Sequence, residues 1–156
     1  MIEDVVSENN KREGIYLTGT GISVNNAKMR NNPQGLKIGP VAENEISLAG
    51  DVSITNSEVG IVTRSNTQGT VRVNRKFISN RNVYGVATDA PDLTVAVGGS
   101  YSGKSGKSGS GSLTACDNNQ YDINNAGGIT FEGSDYTCDT TNGTNLPECK
   151  PCPGCL

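Results

Sequence analysis

The chain has 156 residues, a formal net charge of −3, no histidine, and twenty glycines against a hydrophobic content of 33%. That length fits one domain, and the acidic balance argues against nucleic acid as the main partner. The missing histidines remove Ser-His-Asp triads, His-dependent polysaccharide hydrolase sites and most zinc sites.

Residues 1–13 read as an N-terminal cap or lead-in strand. The start, Met1-Ile2-Glu3-Asp4, is acidic where a signal peptide would carry a basic region. No transmembrane segment is present, so membrane insertion is not expected. From residue 14 a Gly-led strand recurs: Gly14-Ile15-Tyr16-Leu17, Gly35-Leu36-Lys37-Ile38, Gly60-Ile61-Val62-Thr63, Gly85-Val86-Ala87-Thr88 and Gly128-Ile129-Thr130-Phe131. Stacking would place Ile15, Leu36, Ile61, Val86 and Ile129 in one interior ladder.

The centre of the chain fixes the period. Ile46, Leu48, Val52, Gly60 and Ile61 map onto Val71, Val73, Phe77, Gly85 and Val86 with a constant offset of 25. Each 25-residue line holds three short apolar/polar alternations separated by polar turns, the pattern of one coil of a parallel β-helix. Asparagines (Asn31-Asn32, Asn56, Asn80, Asn82, Asn124-Asn125) precede the glycines. Asparagine tolerates left-handed backbone and glycine supplies positive φ, so both read as corner residues. The expected fold is all-β: a right-handed parallel β-helix of about five to six coils, three strands each, over residues 14–138. A Gly/Ser/Lys-rich loop interrupts it at 98–112, and a Cys/Pro-rich tail follows at 139–156.

Phe77-Ile78-Ser79-Asn80 followed by Gly85-Val86-Ala87 resembles the repeats of polymorphic outer-membrane and autotransporter-passenger β-helices. The resemblance covers residues 14–131, and no true Gly-Gly-Ala-Ile occurs. It implies an extracellular or cell-surface module. The loop Gly99-Ser100-Tyr101-Ser102-Gly103-Lys104-Ser105-Gly106-Lys107 resembles the Ser/Gly/Lys repeats of silaffins, which would imply a mineralised wall contacted by Lys104 and Lys107.

Several motifs invite chemistry. Gly98 to Ser105 spells the phosphate-loop pattern G-x-x-x-x-G-K-S, but the Gly/Ser-rich residues that follow cannot start the helix that motif needs. No cofactor is expected. Arg64, Arg72, Arg75, Lys76 and Arg81 cluster in the sequence as candidate contacts to an anionic glycan. Asp89 with Asp92, or Asp51 and Glu58 with Arg75, are conceivable carboxylate sites, but nothing in the sequence marks either set. Thr18-x-Thr20 and the Thr63/Thr88 pair make no continuous ice-binding array. Cys149, Cys152 and Cys155 resemble part of an iron–sulfur ligand run but lack the fourth cysteine, and no metal site is expected.

Five cysteines point to an oxidising compartment and leave one thiol over. Cys116 and Cys138 lie about one coil apart and are expected to pair. Asn142-Gly143-Thr144 is a glycosylation sequon. The reading is a non-enzymatic extracellular structural or adhesive module that associates head-to-tail or binds cell-surface glycans. The alternative is a polysaccharide-binding or polysaccharide-cleaving β-helix of the pectate-lyase or tailspike kind.

Overall fold

The computed structural model describes residues 1–39, 43–98 and 110–153. Those residues form strands and turns with no helix, wound as a parallel β-solenoid of about five turns. Three walls run along the stack. The first is built from the opening residues of β3 (Ile22–Arg30), then β5 (Asn44–Leu48), β8 (Gly69–Val73), β11 (Leu93–Val97) and β14 (Thr130–Gly133). The second holds β1 (Ile2–Glu8), the closing residues of β3, then β6 (Val52–Thr55), β9 (Lys76–Asn80), β12 (Ser112–Thr114), β15 (Tyr136–Thr137) and β17 (Cys149–Lys150). The third holds β2 (Glu13–Leu17), β4 (Gln34–Ile38), β7 (Val59–Val62), β10 (Tyr84–Thr88), β13 (Tyr121–Asn125) and β16 (Thr141–Gly143). The stack therefore continues past residue 138, with β16 on β13 and β17 on β15.

The 25-residue offset is the rung-to-rung register. Ile46 pairs with Val71, Val52 with Phe77, and Ile61 with Val86. Alternation then turns every second side chain inward. The core is a column of stacked aliphatic rows: Ile46, Val71 and Val95 on the first wall, Ala27, Val52, Phe77, Leu113 and Tyr136 on the second, and Leu36, Ile61, Val86 and Ile123 on the third.

Ile123, not Ile129, completes the third-wall row. The loop lengthens one turn and does not fill a turn of its own: Phe77 pairs with Leu113 and Val86 with Ile123. The strand that includes Phe131 consequently moves to the first wall, opposite Val95. Ile129 is fully buried at the corner before it.

Cys116 and Cys138 do not pair. Leu113 lies opposite Tyr136 and Thr114 opposite Thr137, an offset of 23, whereas the two cysteines are 22 apart. A one-residue slip turns side chains to opposite faces. The disulfides are Cys116–Cys152 and Cys138–Cys149, with Cα separations of 5.9 and 5.4 Å. Both tie the last rung to the body. Cys155 lies outside the described residues.

Corner chemistry repeats between the second and third walls. Asn9, Asn31, Asn56, Arg81 and Asp117 hold equivalent places and all have φ between 50° and 57°. Of the asparagines expected at corners, Asn31 and Asn56 carry this conformation. Asn124 and Asn125 lie inside β13. From the second corner on, the residue after the corner is buried or half-buried and bonds along the stack. Asn32 Oδ1 accepts from Asn10 N, Asn82 Oδ1 from Ser57 N, and Asn118 Oδ1 from Asn82 N. These amides satisfy backbone groups that a corner leaves without ladder partners.

Of the repeated glycines Gly128 has the expected positive φ, at 77°, but three others serve a different end. Gly35, Gly60 and Gly85 are absent from the positive-φ positions. They are needed for close approach: a Cβ on Gly60 would lie 1.8 Å from Ser79 Oγ and 2.3 Å from Gly85 O. In the next coil Asp122 takes this place, and its carboxylate turns toward the following corner. There Oδ2 accepts from Asp139 N and Thr140 N, and Oδ1 from Asn118 Nδ2.

Candidate functional site

The five basic residues share one coil but not one face. Arg64 follows the third wall, Arg72 points out from the first, Arg75 and Lys76 turn the corner into the second, and Arg81 sits at the corner into the third. Only Arg72, Arg75 and Lys76 share a region. Arg75 pairs with Asp51 at 3.7 Å. Arg81 occupies a left-handed corner position.

Arg72 is different. Ser23, Ser47 and Arg72 form one outward row along the first wall. Beside that row runs an open groove of about 380 Å³, lined also by Ile22, Glu45 and Asn74. Asn74 Nδ2 donates to Ser47 Oγ at 2.8 Å. The Arg72 Nε is buried and has no hydrogen-bond partner, and Arg72 forms no ion pair among the described residues. Burying that Nε–H without an acceptor is costly, because it has left water and gained no partner. Sequence reasoning placed Arg72 among five equivalent cations; its outward register in β8 is the signal that separates it.

The carboxylate pairs do not assemble. Asp89 and Asp92 are exposed, and Asp92 accepts from Gln68 Nε2 at 3.4 Å. Asp51 and Arg75 meet at the corner between the first and second walls, while Glu58 belongs to the turn before β7. Thr63 and Thr88 point inward, and Thr88 Oγ1 donates to Asn125 Oδ1. Among the described residues no group of three or more Cys, Asp or Glu side chains converges as a metal site. Nor is any helix there long and apolar enough to cross a membrane. The silaffin-like stretch and all of the phosphate-loop pattern but Gly98 fall on residues 99–109 and lie outside the described residues.

No family model, curated protein or solved structure matches the chain.

Asn142 is exposed in β16, with its Nδ2 donating to Asn124 Oδ1 at 2.9 Å. The two exposed ends of the described stack differ. At one, β1 pairs only β3 and β2 pairs only β4, so each keeps one edge unpaired. Val6 is 59% exposed there, and Ile2, Val5 and Ile15 are half-buried. Two ion pairs lie next to this edge, one exposed and one largely buried. Arg30 holds the Glu8 carboxyl below the usual carboxylate range by a hydrogen bond of 2.6 Å, and Lys37 lowers Glu13 in the same way at 2.7 Å. At the other end, two disulfides fasten β17 and the residues around it.

Proposed function

We propose that this chain is a non-enzymatic structural or adhesive module of an extracellular or cell-surface assembly, lengthened by head-to-tail stacking of coils. The observation that carries this reading is the open rung formed by β1 and β2. Unpaired strand edges over half-buried aliphatic side chains recruit further strands. A coil added in the same direction keeps the three-walled outline and the corner asparagine row in step. A head-to-tail contact that does not close on itself propagates as a filament.

Two disulfides fit an oxidising environment, and the passenger-like repeat around Phe77 and Gly85 supports a cell-surface setting. Fastening the last rung keeps that end ordered as a template for the next subunit. Sedimentation velocity over a wide concentration range, with electron microscopy of the most concentrated sample, tests the reading. End-to-end oligomers that grow with concentration are expected. A stable monomer at high concentration would overturn it.

A further inference from the structure

The groove on the first wall goes beyond stacking, because it faces sideways from the stack and leaves both ends free. The geometry points to a binding site for a carboxylate-bearing sugar, with Arg72 holding the carboxylate. Four observations define the ligand. Arg72 brings a positive charge whose Nε has no hydrogen-bond partner and which forms no ion pair among the described residues. Glu45 lines the same groove with an exposed carboxylate that can accept from a hydroxyl. A bare inorganic anion would satisfy the first and be repelled by the second; a hydroxyl-bearing carboxylate satisfies both.

Ser23, Ser47 and Asn74 supply neutral hydroxyl and amide groups along the same groove. Ser47 accepts from Asn74, so its own hydroxyl proton remains to donate outward. Ile22 offers an apolar patch for the C–H face of a sugar ring. The row from Ser23 to Arg72 spans two inter-strand spacings, about 10 Å, the scale of a short oligosaccharide and not of a single ion. A carboxylate lining the same groove as Arg72 also disfavours a uniform polyanion such as nucleic acid.

Calorimetric titration of the oxidised protein with trigalacturonate and with 3′-sialyllactose tests the site. Maltotriose is the neutral control and sodium sulfate the charge-only control. At least one acidic sugar is expected to bind saturably, with maltotriose and sulfate at least about tenfold weaker. Arg72→Gln should weaken the acidic sugar about tenfold or more, the loss expected for a hydrogen bond to a charged group. Arg75→Gln, which removes a neighbouring exposed charge, should change it less than about twofold. Amide chemical-shift changes should centre on Ser23, Ser47 and Asn74. The proposal is overturned if neither acidic sugar binds, if sulfate binds as well, or if Arg72→Gln binds as the parent does while keeping the parent's circular dichroism. The stacking test is read on the same protein without sugar, so either proposal can fail alone.

Discussion

At the scale of single residues, the corner between the second and third walls is the most exacting position in the coil. Its backbone is left-handed in every described coil from Asn9 to Asp117. A non-glycine residue with a Cβ is strained there, and asparagine less so because its amide bonds locally. Arg81 is the exception: an exposed arginine at φ 57°. Its side chain has no ion pair among the described residues to offset the strain. Arg81→Asn should therefore stabilise the protein by about 1 kcal/mol, measured as a shift in the urea midpoint at unchanged slope. A loss of stability would mean that the arginine makes a contact worth more than the strain. The same residue shows how proximity in sequence misleads. Arg81 and Arg72 are nine residues apart in the sequence, yet one is a corner residue and the other faces a groove.

At the scale of elements, the central two lines were legible because the offset is 25 residues from β5 to β8, from β6 to β9 and from β7 to β10, and register follows from it rung by rung. Beyond Val97 the period fails, and with it went the placement of Ile129 and the Cys116–Cys138 pairing. Spacing alone does not say whether 43 residues between Gly85 and Gly128 are two turns or one enlarged turn followed by a corner. The deciding information is pairing: Ile123 opposite Val86 and Leu113 opposite Phe77.

The glycine role was also hidden, since close approach to Ser79 depends on the neighbouring wall and not on the glycine's own segment. The groove at Arg72 was out of reach for the same reason. It joins residues from three coils.

The described residues that flank the insertion meet. The place of a Cβ on Gly111 lies 2.8 Å from Gly98 N. Removing residues 99–109 shortens the Phe77-to-Leu113 offset from 36 to the standard 25. That deletion should leave the β circular dichroism intact and change stability by no more than about 1 kcal/mol, since loop length acts only through a slow logarithm. Collapse of the fold on deletion would show that the segment packs against the walls.

At the scale of the whole molecule, a solenoid is a one-dimensional stack in which each coil touches only its neighbours. Local stability should then fall toward the ends, and the two ends are secured differently. Loop-closure entropy assigns about 3 kcal/mol to Cys138–Cys149, across 11 residues, and about 4 kcal/mol to Cys116–Cys152, across 36. Both act on the last coil. The first coil has no covalent tie: its ordering rests on β1 against β3, β2 against β4, and the ion pairs of Glu8 and Glu13.

Native-state hydrogen exchange of the oxidised protein at low concentration should show β5 to β10 as the slowest segment and β1 and β2 as the fastest. Reduction should release β16 and β17 and leave β5 to β10 unchanged, because nearest-neighbour coupling does not carry the loss inward. Raising the protein concentration should slow β1 and β2 selectively, since a second copy docked on the open rung pairs the very amides that are free in one copy. Exchange at β1 and β2 that is independent of concentration, in a sample that nevertheless oligomerises, would move the contact off the open edge and onto a wall.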